Sequence, residues 1–130
     1  MSRVTERPAA DSIGARAHFE RLLAFETDCW DVHASLGADA QDFALLDVRA
    51  PQSFEAVRVP GAINLRHGKI HERNLTAYPA DTPFVVYCAG PHCDGADRAA
   101  VRLARLGRPV KKMIGGVEGW KDEGCPLIAD

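Results

Sequence analysis

The sequence lacks the features that typify membrane-spanning and nucleic-acid-binding proteins. No segment contains about 18 consecutive apolar residues, which is the length that a membrane-spanning helix needs. No block of one charge sign occurs either, because 16 Lys and Arg residues balance 18 Asp and Glu residues along the chain. We therefore expect no membrane and no nucleic acid as partners, and small molecules or proteins are the expected ones.

The beginning of the sequence also lacks a secretory signal. The stretch MSRVTERPAADSIG at 1–14 contains charges and a proline but no apolar segment of the signal-peptide type. We therefore expect a cytoplasmic protein. In that reducing compartment, the four cysteines (Cys29, Cys88, Cys93 and Cys125) are expected to be thiols and not a disulfide framework.

Short apolar runs alternate with segments of helical periodicity in the rest of the chain. The runs that predict strands are FALLDV (43–48), AINL (62–65), PFVVYC (83–88) and RPVKKMI (108–114). The segments that predict helices are 15–26, 28–36, 51–57, 96–106 and 117–124, with a weaker one at 71–79. This alternation predicts an α/β fold with a mostly parallel, five-stranded sheet that is flanked by helices.

Cys88 ends the most strand-like of these runs, and residues 89–95 form a loop before the next helix. In parallel sheets, chemistry gathers where the strands end at their carboxyl edge. The N-terminus of the following helix offers N–H groups without helical partners and the positive end of a dipole. We therefore predict that the pKa of Cys88 lies below its ordinary value of about 8.5, and that the same N–H groups hold an anionic substrate or a charged persulfide.

Four motifs, taken together and in this order, resemble those of single-domain rhodanese-like sulfurtransferases. They are LLDVR at 45–49, VPGAINL at 59–65, VVYC at 85–88 and IGGVEGW at 114–120. The resemblance implies a cysteine at the end of the central strand that carries sulfane sulfur as a persulfide. It also implies that this sulfur comes from a donor such as thiosulfate and passes to cyanide or another thiophile.

The resemblance divides the chain into two parts. Residues 28–130 correspond to a rhodanese-like domain, and residues 1–27 form a leader and a helical extension. The extension carries the apolar residues Phe19, Leu22 and Phe25 at helical spacing. Two partners remain open for this apolar side, the sheet of its own domain and a second subunit, and of these we favour the sheet.

The predicted active loop departs from the commonest family pattern, in which Cys-x-x-Gly-x-Arg follows the strand. The loop comprises Ala89, Gly90, Pro91, His92, Cys93, Asp94 and Gly95. When the pattern is aligned on Cys88, Cys93 occupies the place of the arginine. When it is aligned on Cys93, Arg98 fits the pattern, but the residues between the strand and Cys93 are left unexplained. We therefore favour Cys88 as the persulfide carrier and Cys93 as an accessory or resolving thiol.

Two other kinds of site are disfavoured. A metal site is not predicted, because Cys88, His92 and Cys93 lack a second ligand pair at zinc-site spacing. A phosphatase site needs an arginine six residues after the cysteine, and neither cysteine has one. No cofactor is predicted, and Asp47 and Arg49 are expected to support the active loop structurally.

Two functions remain open from the sequence. The first is a thiosulfate sulfurtransferase in which Cys88 takes sulfur from a small-molecule donor and gives it to a thiol, to cyanide or to a protein acceptor. The second is a non-enzymatic persulfide-sensing, redox-sensing or binding module. In this module Cys93 attacks the Cys88 persulfide, and the bridge that forms alters a contact with a partner. Such a bridge requires the two Cα atoms to lie within about 7 Å.

Overall fold

The computed structural model describes residues 1–38 and 41–129. Residues 39, 40 and 130, which belong to the expected domain at 28–130, lie outside the described residues. The helices are α1 (Arg3–Glu6), α2 (Ser12–Phe25), α3 (Cys29–Leu36), α4 (Pro51–Ala56), α5 (Gly95–Arg105) and α6 (Gly116–Asp122), with 3-10 helices at His67–Lys69 and Glu72–Asn74. The strands are β1 (Glu26–Thr27), β2 (Ala44–Asp47), β3 (Ile63–Asn64), β4 (Phe84–Tyr87) and β5 (Val110–Met113).

The five strands form one parallel sheet in the order β1-β5-β4-β2-β3. This arrangement confirms the predicted α/β fold and places β4 at the centre. Strand β1 was not predicted as a strand, because residue 26 falls at the end of a helical pattern. The two residues of β1 pair with Lys112 and Met113 of β5. A strand of two residues is too short to show the alternation by which strands are identified in a sequence.

The central strand β4 is buried on both faces of the sheet. Val85 and Tyr87 pack into one apolar cluster, whereas Phe84 and Val86 pack into the other. This division follows from the alternation of side chains along a strand. Helices α3 and α6 cover the first face, and α5 covers the second. The nearly continuous apolar run of β4 is therefore explained by two covered faces.

Helix α2 lies largely outside these layers, and the expectation that its apolar side covers the sheet is wrong. Its side chains include Phe19, which is 62% exposed, and Phe25, which is 56% exposed. Near its C-terminal end, the backbone carbonyl of Leu23 accepts a hydrogen bond from Lys111 Nζ at 2.9 Å. The physical reason for the exposure is that both faces of the sheet are already covered by other helices. No helix in the described part of the chain is long and apolar enough to cross a bilayer.

Candidate active site

Cys88 lies directly after β4, at the carboxyl edge of the sheet, and is 7% exposed. Its sulfur accepts hydrogen bonds from the backbone N–H groups of Ala89 and Gly95. Gly95 is the first residue of α5, and a Cβ atom at this position would lie 2.7 Å from Cys88 Sγ. The sulfur therefore sits against the N-terminus of α5 at a distance that only a glycine allows.

Helix α6 fixes the backbone on the other side of the active loop. The N–H group of Val117 donates to the carbonyl oxygen of Cys88 at 3.1 Å, and the N–H group of Glu118 donates to that of Ala89 at 2.9 Å. Gly116 has a φ of +60°, and a Cβ atom there would overlap the Cys88 carbonyl oxygen. Gly116 is not among the residues predicted for the site, although the glycine pair in IGGVEGW is a signal of a tight turn or close approach.

A tight turn brings Cys93 to Cys88. The N–H group of Cys93 donates to the carbonyl oxygen of Gly90 at 3.0 Å, and Pro91 occupies the turn position that its fixed φ favours. A Cβ atom at Gly95 would lie 3.5 Å from Cys93 Sγ, so both sulfurs lie against the same glycine. The two thiols are also hydrogen-bonded to each other. Among the described residues, all four cysteines are thiols, as expected.

The acidity of the two thiols differs from the expectation for Cys88. Burial and, after it, the hydrogen bond with Cys93 raise the pKa of Cys88 to about 11, because together they outweigh the opposing effect of the N–H groups of Ala89 and Gly95. The hydrogen bond from Cys88 lowers the pKa of Cys93, which is only partly buried. The prediction of a lowered pKa at Cys88 is therefore wrong for the resting pair, because burial outweighs the field of the helix. The pair loses its first proton from Cys93.

Asp47 and Arg49 form a buried ion pair at the end of β2. Arg49 Nη2 lies 2.6 Å from Asp47 Oδ2, and the Asp47 side chain is 0% exposed. Asn64 Nδ2 donates to the backbone carbonyl oxygens of Asp47 and Arg49 at 3.1 and 3.0 Å. This network ties the segment after β2 to β3, next to the segment that carries Cys88.

Two further polar residues of the predicted loop, His92 and Asp94, contact other residues of the loop and of α5. Asp94 precedes the first turn of α5 but accepts no capping hydrogen bond there; instead it pairs with Arg98 at 3.1 Å. Both of these side chains are more than half exposed. The His92 ring is exposed and lies against Gly90, where a Cβ atom would meet His92 Cε1 at 3.2 Å. Arg98 therefore stands outside the walls of the site.

Two cavities meet at the thiol pair. The first, which we call the Arg66 cavity, has a volume of about 280 Å³, and its lining includes Arg49, Ser53, Arg66, His67, Cys88 and Cys93. The second, which we call the Glu123 cavity, has a volume of about 620 Å³, and its lining includes Asp28, Cys88, Cys93, Asp97, Lys112 and Glu123. The two sulfurs are thus reachable from two sides that differ in charge.

Comparison with known proteins matches residues 31–123 to the family described as Rhodanese-like domain. Over 90 residues, the chain is 37% identical to an HTH-type transcriptional regulator of Mycobacterium tuberculosis, a match that covers 68% of this chain and 39% of the regulator. Over 99 residues, it is 33% identical to the thiosulfate sulfurtransferase GlpE of Actinobacillus succinogenes, covering 75% of this chain and 82% of that protein. The likeness to the regulator is thus confined to a part of that protein.

Among solved structures, a protein of Bacillus halodurans has a very similar fold. Its crystal structure superposes with a TM-score of 0.87 and 30% sequence identity. The match covers 92% of this chain and 87% of that protein. The shared fold therefore includes nearly all of this chain.

Proposed function

The chain belongs to the rhodanese-like family, and from this premise we propose that it is a sulfurtransferase that carries sulfane sulfur as a persulfide on Cys88. The proposed donor is thiosulfate or a persulfide, and the proposed acceptor is cyanide, a small thiol or a protein thiol. The observation that carries the proposal is the position of Cys88 Sγ against Gly95, with the N–H groups of Ala89 and Gly95 directed at it.

These N–H groups suit a persulfide better than a resting thiol. A persulfide places its negative charge on the outer sulfur, one bond beyond Sγ, where it is less buried than the Cys88 thiolate would be. Backbone N–H groups at a helix N-terminus stabilise such an anion. The Val117 and Glu118 hydrogen bonds to the loop carbonyls support the same function, because they hold the loop in the orientation that directs its N–H groups at the sulfur.

Cys93 has a proposed role in the loading step. The thiolate at Cys93 accepts the proton of the Cys88 thiol through their shared hydrogen bond, and Cys88 attacks the outer sulfur of thiosulfate. The bond between the two donor sulfurs breaks, and sulfite leaves with its electron pair. In the second step, the acceptor attacks the outer sulfur of the persulfide, and Cys88 leaves as a thiolate. Two separate transfers predict ping-pong kinetics.

The buried pair of Asp47 and Arg49 is proposed as structural support for this site. It joins the end of β2 to β3 through Asn64, and this segment forms a wall of the Arg66 cavity. Its proposed role is to hold the wall in place, since Arg49 is already engaged by Asp47.

The test is intact-protein mass spectrometry after incubation with thiosulfate. The proposal predicts the gain of one sulfur atom per chain, and cyanide should remove it with formation of thiocyanate. A mass that stays unchanged with thiosulfate and with a polysulfide would refute the proposal. Iodoacetamide blocking of the thiols before incubation provides the control for sulfur that binds elsewhere.

The contact between the two thiols favours a second candidate function, the redox module. In that case the Cys93 thiol attacks the inner sulfur of the Cys88 persulfide, hydrosulfide leaves, and a disulfide joins the two cysteines. The same experiment separates the two functions by mass. A persisting gain of one sulfur indicates transfer, whereas the loss of two hydrogens without a retained sulfur indicates the redox module.

A further inference from the structure

Of the two cavities beside the thiol pair, only the Arg66 cavity is lined by a cation that no side chain in the described part of the chain engages. Arg66 lines the Arg66 cavity, and no ion pair or side-chain hydrogen bond joins it to another residue in the ranges that the structure describes. The other arginine of that cavity, Arg49, is engaged by Asp47 at 2.6 Å. The Asp94 carboxylate, which also lines this cavity, is engaged by Arg98 at 3.1 Å. Arg66 is therefore the positive charge of this cavity that remains available to a ligand.

The backbone holds Arg66 firmly beside the thiols. The N–H group of Leu65 donates to the carbonyl oxygen of Asp47 at 2.9 Å, and that of His67 donates to the carbonyl oxygen of Val48 at 3.1 Å. Arg66 thus lies between two residues that are bonded to the end of β2. The 3-10 helix that begins at His67 also packs against α5. These bonds hold the Cα of Arg66 at the wall of the cavity.

The Glu123 cavity on the other side of the thiols has the opposite character. It carries Asp28, Asp97 and Glu123, and its one lysine, Lys112, is paired with Asp97 at 3.0 Å. The carboxylates of Asp28 and Glu123 also contribute to raising the pKa of Cys29 in that wall, after burial and Cys125. An anion that approaches the thiols is therefore repelled on this side and attracted on the side of Arg66.

We infer that the Arg66 cavity is the donor subsite, in which Arg66 binds the oxyanion end of a sulfane-sulfur donor and directs the outer sulfur at Cys88. This inference rests on the proposed function and names its donor class. A guanidinium can donate two parallel hydrogen bonds to an oxyanion such as a sulfonate group. His67 lines the same cavity and adds a second polar ring to its wall. As the donor is cleaved, sulfite leaves next to Arg66, where its charge is stabilised.

The first arm of the test measures the rate of thiosulfate-dependent persulfide formation on Cys88 by mass spectrometry. Arg66→Ala should lower the second-order rate constant about tenfold, which is the low end of the loss of one hydrogen bond to a charged group. Arg66→Lys should restore part of the rate, because it keeps the charge but loses the two-pronged geometry. The matched control is Arg73→Ala, which removes an exposed positive charge outside both cavities and should change the rate little.

The second arm does not depend on sulfur transfer. It compares alkylation of Cys88 and Cys93 by iodoacetate, which is an anion, with alkylation by iodoacetamide, which is neutral. Arg66→Ala should lower the ratio of the iodoacetate rate to the iodoacetamide rate, and Arg73→Ala should leave this ratio unchanged. If the wild-type protein forms no persulfide but Arg66→Ala still lowers this ratio relative to wild type, the proposed function fails and the anion subsite stands. Equal rates of loading and equal alkylation ratios in Arg66→Ala and wild type would overturn the inference.

Discussion

Cys88 and Cys93 share one hydrogen bond, yet different parts of the chain hold them in place. Cys88 ends the central strand, is 7% exposed, and has its backbone carbonyl bonded to α6. Cys93 lies at the end of a turn and is partly exposed. Burial raises the pKa of Cys88 to about 11, whereas the hydrogen bond from Cys88 lowers the pKa of Cys93.

The comparison separates acidity from the capacity to carry sulfur. A more acidic thiol is more often deprotonated, but its thiolate is a weaker nucleophile. Cys93 is therefore better suited to be the thiolate of the resting pair and to accept a proton. Cys88 suits the attack on the donor and the retention of the product, because its position is fixed by β4 and α6 and faces the N–H groups of the loop.

The largest effect is expected from Cys88→Ser. A serine hydroxyl is a far weaker nucleophile at neutral pH and cannot hold a persulfide, so transfer from thiosulfate to cyanide should be abolished. Thiocyanate formation in a steady-state assay provides the measurement. The control is Cys125→Ala, which removes a buried thiol outside both cavities and should leave most of the activity. Substantial activity in Cys88→Ser would remove the distinction between the two cysteines.

Gly95→Ala should come next in effect. A Cβ atom 2.7 Å from Cys88 Sγ must displace that sulfur from the N–H groups, whereas Cys93 Sγ, at 3.5 Å, can remain close to its position. We expect sulfur transfer to fall at least tenfold, about the value of one hydrogen bond to a charged group, while the circular-dichroism spectrum stays unchanged. Gly68→Ala is the matched control, because a Cβ atom there meets nothing within 4 Å. Equal rates in the two variants would contradict the placement of Cys88.

A smaller effect concerns the pKa values of the two thiols. Cys93→Ala should lower the pKa of Cys88 from about 11, since the hydrogen bond and the charge of Cys93 both raise it. Burial should nevertheless keep it above the ordinary value. Cys88→Ala should raise the pKa of Cys93, because the hydrogen bond that lowers it is lost. The pH dependence of iodoacetamide labelling, read for each cysteine by mass, measures both shifts. A pKa of Cys88 that rises in Cys93→Ala would contradict the interaction between the two thiols.

The smallest effect is expected from Arg98→Ala. Arg98 is 64% exposed and pairs with Asp94, so it contacts neither cavity. The rate of transfer from thiosulfate should fall less than tenfold, as for a surface ion pair. Arg102→Ala, at another exposed position of α5, supplies the control for charge. A loss of a hundredfold or more in Arg98→Ala alone would favour Cys93 as the carrier.

The sequence was sufficient for the α/β fold and for the central strand β4, whose apolar run is explained by two covered faces, but not for the short strand β1. It was also sufficient for the position of Cys88 at the end of that strand. The contact with Cys93 could not be read from the sequence, because it depends on how the turn at Gly90 and Pro91 bends the loop. The balance between burial and the helix field at Cys88 was missed for a related reason. A local motif identifies nearby N–H groups but not the depth at which a sulfur is buried.

The position of Arg66 beside Cys88 could not be predicted from the sequence either, because it depends on contacts between distant parts of the chain. In the sequence, Arg66 is one of 16 basic residues, and nothing distinguishes it from the arginines on the surface. Its place beside Cys88 arises from the parallel pairing of β2 with both β3 and β4. This pairing brings the segments that follow the three strands to one edge. Asp47 and Arg49 could be singled out only because they lie within a recognisable motif.

The most direct test of the account locates the transferred sulfur within the wild-type protein. Cys88 and Cys93 lie in the same tryptic peptide, so the protein is treated with thiosulfate, trapped at once with iodoacetamide, digested and fragmented between the two cysteines. The account predicts an alkylated persulfide on Cys88 and a directly alkylated thiol at Cys93, with the Cys88 signal retained in Cys93→Ser. An alkylated persulfide on Cys93, retained in Cys88→Ser and absent from Cys93→Ser, would contradict it.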